Sequence, residues 1–349
     1  MRIAYACYWD ARRRDGVAEK IESQLAAWRR LGHEAELFVL TPAGGELRMQ
    51  GRPFPFAGVA GRIRATRRLD AAVQSVRPDA VYLRYDLFLP PPLRAIGSAP
   101  TVVEVNSDTG AELRARSRSA AAYERLQRPL ILGRASGAVC VTHELAEKLG
   151  RGRAGLPIEV IANGIDLGGI ETLRAPGGKE TRLVYLGADV YWQGVDKVLA
   201  LAAATPDWTF DLVGVDPSRS TGNLTCHGFL ERDAYEPLLA RADVAIGTLA
   251  LHRKRMDEAC ALKIRQYLAY GLPVVLGHED TDFLGIDPWF LLRLPNSETN
   301  VRDHVEEIRA FVAGVKGRRV ERREIEGRLS AGVKEAHRID FLRRLAGDS

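Results

Sequence analysis

His252-Arg-Lys-Arg-Met-Asp-Glu-Ala-Cys-Ala-Leu-Lys-Ile-Arg-Gln-Tyr-Leu-Ala-Tyr-Gly-Leu-Pro-Val-Val275 is the stretch whose reading decides the fold. It opens on a basic cluster, passes the acidic Glu258 and the small residues Ala259, Cys260 and Ala261, and then takes helical periodicity over Leu262–Ala269. Gly271 stops that helix and Pro273 opens an apolar strand, Val274–Leu276. A loop, helix, turn and buried strand in this order form one α/β step. The first turn of the helix leaves backbone N–H groups unpaired at the positive end of its dipole, which favours a diphosphate. Lys263 and Gln266 lie on the same helix, so the segment suits a nucleotide sugar.

On both sides of this stretch, short apolar runs alternate with amphipathic helical ones, the signature of βαβ units and parallel sheets. One series runs through Ile3–Trp9, a helix over Val17–Leu31, Ala35–Leu40, a helix over Ile63–Val76, Ala80–Leu83, Thr101–Val105, Ala138–Thr142 and Ile158–Ile161. Residues 163–180 interrupt it with Gly164, Gly168, Gly169, Pro176, Gly177 and Gly178, a hinge composition. A second series follows: Leu183–Leu186, a helix over Val195–Ala204, Phe210–Val213, Ala234–Ala240, Val244–Gly247 and the opening stretch. From about Val301 two charged helical segments end the chain. The reading is an α/β protein of two Rossmann-like doubly wound domains facing across a cleft. Residues 1–165 form the first domain, 166–320 the second, and 321–349 a helix crossing back to the first. The cleft is the expected ligand site.

At 349 residues the chain is long enough for two domains, and its 46% hydrophobic and 27% charged residues exclude disordered and fibrous classes. The net charge of +5 rests on 42 arginines against only eight lysines, a coding bias that points away from a nucleic-acid partner. Cys7, Cys140, Cys226 and Cys260 are scattered without metal-ligand spacing, and no His, Asp or Glu pair supplies one. That usage, with no signal-peptide core and no apolar run long enough to span a bilayer, leads to a cytoplasmic expectation. His33 and His143 read as structural residues of a turn and a helix start, and His227 as a neighbour of the Gly228 turn.

The opening stretch resembles the donor-binding signature of the GT-B retaining glycosyltransferases of family 4, in which Glu, seven residues and Glu precede an Ala-rich helix end and Gly-x-Pro-Val-Val. Here Glu258 stands at the first acid, Gln266 at the second, and Tyr267-Leu-Ala-Tyr-Gly-Leu-Pro-Val-Val275 closes the motif. Asn163-Gly-Ile-Asp166 resembles the turn by which these chains enter the second domain, and Tyr185-Leu-Gly187 with Gln193-Gly-Val-Asp196 the phosphate loop. Gly228-Phe229 and Ala242-Asp-Val244 fit the base-contacting loop and the next strand, so the resemblance covers nearly the whole chain. It implies a metal-independent transferase taking a UDP- or GDP-sugar as co-substrate, with no permanently bound cofactor. It also implies that Glu258 binds donor hydroxyls, Gln266 the ribose, and the Ala261 and Leu262 amides the phosphates. Gly16, the glycine that opens the first helix, would line the cleft.

Two cations of the family pattern are missing, since Ala188 and Gln193 stand where an arginine and a lysine neutralise the leaving diphosphate. Arg253 and Lys254 are the expected replacements, with Lys263 as further positive charge. Asn106 occupies the place of the family's sugar-contacting histidine; alternation puts Glu104 on the same face as a second polar contact. Arg84 and Tyr85 are expected acceptor contacts. Arg114, Arg116, Arg118, Arg125 and Arg128 on one helix, and Arg62, Arg64, Arg67 and Arg68 on another, leave peripheral membrane contact open. The four departures also leave open a degenerate partner subunit, and the donor chemistry leaves open a pseudo-glycosyltransferase. Acceptor and oligomeric state are not written in the sequence.

Overall fold

The computed structural model describes residues 1–347. The chain divides into two compact units, one of Met1–Ala162 plus the segment from Ala331 on, the other of Asn163–Ser330.

The first unit runs β1 (Arg2–Tyr8), α1 (Gly16–Arg30), β2 (Glu34–Pro42), β3 (Arg52–Phe56), α2 (Gly58–Ser75), β4 (Ala80–Arg84), β5 (Thr101–Val105), α3 (Thr109–Arg116), α4 (Arg118–Leu132), β6 (Gly137–Cys140), α5 (His143–Gly152) and β7 (Ile158–Val160). Its seven strands lie in the order β3-β2-β1-β4-β5-β6-β7, and every neighbouring pair is parallel. α1 forms because Asp15 caps it, accepting from the Val17 and Ala18 amides, while Ile21, Leu25 and Trp28 recur at helical spacing and are buried. β3 was not expected from its Arg-Pro-Phe-Pro-Phe sequence, whose prolines cannot donate to a ladder. It sits at the sheet edge, where that loss is tolerated. The segment expected as one helix after Asn106 is two, because Ser117 adopts an extended backbone and caps α4.

The second unit continues with β8 (Thr181–Leu186), α6 (Val195–Ala204), β9 (Trp208–Val213), β10 (Leu224–Cys226), α7 (Arg232–Arg241), β11 (Val244–Ile246), β12 (Glu258–Ala259), α8 (Leu262–Ala269), β13 (Val274–Leu276), β14 (Glu279–Asp280), β15 (Leu291–Arg293), α9 (Asn300–Asp303), α10 (Val305–Val315) and α11 (Arg322–Leu329). Six strands form a parallel sheet in the order β10-β9-β8-β11-β13-β15, and β12 pairs with β14 outside it. Both faces are covered. Leu238, Ile264, Tyr267 and Leu268 pack on one side, and Val198, Leu201, Ile308 and Val312 on the other. That is the doubly wound pattern.

α12 (Ala331–Ala346) then rejoins the first unit, where Ile339, Phe341 and Leu342 share a core with α1. The return therefore starts at Ala331, later than the expected 321, because α11 packs with its own unit through Ile325 and Leu329. The tail holds four helices where two were expected. Among the described residues no helix is long and apolar enough to cross a membrane.

Candidate functional site

The second sheet reverses its winding at β8, which lies between β9 and β11, so the loops leaving these strands part at its carboxyl edge. The backbone there is bare. Gly187 follows β8 at φ +150° and Gly214 follows β9 at φ +88°. A Cβ on Gly214 would stand 2.6 Å from the Gly187 carbonyl oxygen, so the two loops meet only because residue 214 has no side chain. The Gly214 amide in turn donates to the Gly228 carbonyl at 2.6 Å, closing the adjoining turn.

α8 starts beside these loops. Its N-cap is Ala261, which has no side chain to accept from the first turn. Lys263, one residue into the helix, donates to Gln193 Oε1 at 2.7 Å. The same oxygen accepts from Thr248 Oγ1 at 2.9 Å. The ammonium lies 4.1 Å from the centre of the Tyr185 ring. A Cβ on Gly187 would come within 3.3 Å of Lys263 Nζ, so the cation borders the glycine loop. Burial pulls the Lys263 ammonium well below the ordinary lysine value, and among the described residues no carboxylate offsets it. A half-buried cation held by neutral acceptors, at an uncapped helix start, gains from an anion placed against it.

Glu258 reaches this region on β12, which β14 holds in register, Glu258 opposite Glu279 and Ala259 opposite Asp280. Its side chain is largely buried. Gln266, one turn into α8, donates its amide to Tyr235 on α7.

In the first unit the carboxyl edge carries a buried charge cluster instead. Lys20 donates to Glu104 at 3.0 Å and to Asn106 Oδ1 at 2.5 Å, and Asn106 Nδ2 donates to Glu104 at 2.9 Å. Both ends of the Asn106 amide are thus fixed. From α12, Arg338 pairs with Glu335 at 2.7 Å and donates to the Ile161 and Ala162 carbonyls. Glu335 accepts from the Trp28 indole. Burial alone would raise the Glu104 carboxyl, but Lys20, Arg338 and Arg84 outweigh it and hold the group far below the usual carboxylate range. Burial pulls Lys20 down to about 8 although Glu104 acts against it.

Residues 14–168 match the family model described as Glycosyltransferase Family 4. No curated protein sequence matches. Among solved structures, the chain is similar to a lipopolysaccharide outer core galactosyltransferase, WaaB, in its apo form (TM-score 0.65, 14% identity, 98% of this chain and 99% of that one). It is also similar to a glycosyltransferase from Rickettsia africae ESF-5 (TM-score 0.67, 12% identity, all of both chains). A third is an alpha-glucosyltransferase in complex with UDP-glucose and DNA containing an abasic site (TM-score 0.67, 11% identity, 98% and 99%). The chain has the GT-B fold of these glycosyltransferases, and residues 14–168 match the family 4 model.

In this GT-B chain several residues stand elsewhere than the sequence suggests. Arg253 does not approach the glycine loop as a spare cation, because Asp196 and Glu298 grip its guanidinium and the Tyr191 carbonyl accepts from it. Lys254 is buried with its ammonium 4.8 Å from the Trp192 ring. The cation beside Gln193 is Lys263. Gly16 does not offer its helix start to a ligand, since the Val17 and Ala18 amides already bond to Asp15. Glu104 is fully buried and Arg84 nearly so, their side chains 3.5 Å apart, which removes both as acceptor contacts. Tyr85 turns to α4, where its hydroxyl donates to Glu124 at 2.7 Å. Asn106 stays half-exposed at the sheet edge, oriented by the cluster beneath it. Ala261, Leu262, Lys263, Gly187, Gln193 and Gly228 all lie along the carboxyl edge of the second unit. Tyr185, already part of the expected phosphate loop, lies with them; Gly214 and Thr248 join them unannounced, and only the Val213-Gly214 ending of a strand, like that of Leu186-Gly187, was a signal that could have found one.

Proposed function

We propose that the protein transfers a sugar from a nucleoside diphosphate sugar to an acceptor hydroxyl with retained configuration, and that its own charges rather than a metal ion stabilise the leaving diphosphate. The observation that carries the reading is Lys263: a cation without a carboxylate partner among the described residues, poised at the uncapped start of α8 beside the Gly187 backbone. Ala188 and Gln193 lack the charge usual in the resembled family, and Lys263 brings its ammonium onto the Gln193 amide. That restores one positive charge where negative charge develops as the bond from the sugar to the phosphate oxygen breaks. The acceptor oxygen attacks the anomeric carbon from the side the diphosphate leaves, and its proton passes to the departing phosphate oxygen. No side-chain base is required, which suits the neutral amide of Asn106. Glu258 holds donor hydroxyls and Gln266 the ribose.

UDP and UDP-glucose are bound by structural neighbours, which favours a uridine donor. The test is isothermal titration with UDP, GDP, ADP and dTDP, followed by hydrolysis of the matching sugar nucleotides. Selective binding of one diphosphate with slow hydrolysis of its sugar is expected. Absence of binding by all four refutes the reading.

A further inference from the structure

Glu258 and the amides of Ala261 and Leu262 lie on one short loop, of which only Glu258 and Ala259 pair with a strand. The next residue, Cys260, is held from 97 positions earlier in the chain. Asn163 Nδ2 donates to the Cys260 carbonyl at 2.8 Å, and the Asn163 amide points to Cys260 Sγ at 2.9 Å. The Asn163 carbonyl accepts from Arg265 Nε at 3.3 Å. Arg265 is fully buried and grips both oxygens of the equally buried Asp280, with Asp282 as a further partner. Asp280 is itself the residue opposite Ala259 in the β12–β14 pair. The loop's first strand, its middle residue and the first turn of α8 are therefore joined in one buried polar frame.

This frame is not the cheapest way to fill the interior. The Asn163 side-chain oxygen is buried with no hydrogen-bond partner, so the amide is used for its donor half alone. A buried ion pair such as Arg265–Asp280 adds less stability than apolar packing of the same volume. Cys260 contributes no reactivity, as burial raises its thiol to about 11. What the polar groups do supply is direction, because they specify the peptide plane of Cys260 and hence the heading of the amides that follow it.

We propose that Asn163, acting through the Cys260 carbonyl and braced by Arg265 and Asp280, is a positioning residue that presets the donor-binding loop before any nucleotide arrives. The inference rests on the functional reading above. Asn163→Asp keeps the shape but turns an acceptor oxygen onto the Cys260 carbonyl. Titration with the preferred diphosphate is expected to show affinity about tenfold weaker, the loss of one well-aligned hydrogen-bond contact. The donor KM is expected to rise by the same factor while kcat, read at a temperature where the variant is folded, stays near wild type; the melting temperature falls, because the new carboxylate is buried against an acceptor. Wild-type protein that binds a diphosphate, with a variant changed by about threefold or less, overturns the clamp and leaves the functional reading intact. Wild-type protein that binds none of the four overturns both.

Hydrogen exchange in the wild type decides the matter should the variant fail to fold. Without nucleotide, the amides of Asn163 and Ile264, which donate to Cys260 Sγ and to the Ala261 carbonyl, are expected to exchange as slowly as those of β14. Fast exchange that slows only when nucleotide is added would mean the loop is ordered by the ligand, and the proposal falls.

Discussion

Replacing Lys263 by methionine removes one charge and keeps the length of the side chain. The lysine has no carboxylate partner among the described residues, so its loss strands no buried anion; only Gln193 Oε1 loses a donor, and it keeps Thr248. Stability should therefore hold. Because burial lowers the folded-state value of Lys263, the unfolded chain binds more protons between that value and the ordinary one near 10. Its contribution to unfolding free energy thus rises with pH across that window, and Lys263→Met abolishes this slope without cost at neutral pH. Nucleotide affinity should respond quite differently. A hydrogen bond from an ammonium to phosphate contributes about 1.5–3 kcal/mol, which corresponds to a roughly 10- to 150-fold weaker diphosphate complex. Titration calorimetry above pH 8 in buffers of unlike ionisation enthalpy gives a second handle. The bound anion favours the charged lysine, so wild-type protein takes up protons on binding and the variant takes up fewer. Equal affinity with equal proton uptake in both proteins would remove Lys263 from the anion site and with it the argument for the missing family cations.

Other substitutions separate the two units' roles. Glu258→Ala should lower donor hydrolysis by about 10- to 150-fold, the range for a hydrogen bond to a charged group, with a melting temperature close to wild type; turnover equal to wild type would take Glu258 out of the site. Arg253→Ala should leave diphosphate affinity unchanged and cost no more than about 1 kcal/mol in denaturant unfolding, as its half-exposed ion pairs with Asp196 and Glu298 are surface contacts. Weakened nucleotide binding in that variant would return it to the site. Glu104→Gln should destabilise by roughly 3–5 kcal/mol, since Lys20 and Arg338 would lose their buried counter-charge; a loss below about 1 kcal/mol in urea unfolding would contradict the cluster described here.

Local signals carried much of the architecture. Thr101–Val105, Val195–Ala204, Leu262–Ala269 and Val274–Leu276 stand where periodicity and the Gly271-Leu-Pro273 stop place them, because apolar spacing and chain breakers act within a few residues. β3, β12 and β14 escaped that logic. The first carries prolines that argue against a strand, and the other two are two-residue ladders that exist only because distant segments meet. The site divided along the same line. Gly187, Gly228 and the helix start at Leu262 were legible from type and order, and Lys263 was among the expected cations, but which of Arg253, Lys254 and Lys263 does the work was not. Arg253 and Lys263 look alike as charges in a sequence. Asp196 and Glu298, 57 and 45 residues away from Arg253, engage the first, and no carboxylate among the described residues engages the second.

The chain has eight lysines, and Lys20, Lys197 and Lys254 are buried while Lys263 is half-buried. Its outer positive charge is carried mostly by arginine, which amine-reactive esters do not modify. Burial lowers the half-exposed Lys263 ammonium, so among the lysine side chains such a reagent should favour it, with the N-terminal amine as the competing site. A dye or crosslinker could then be seated beside the glycine loop in the unaltered protein, and protection by a nucleotide would read out occupancy without engineering a cysteine.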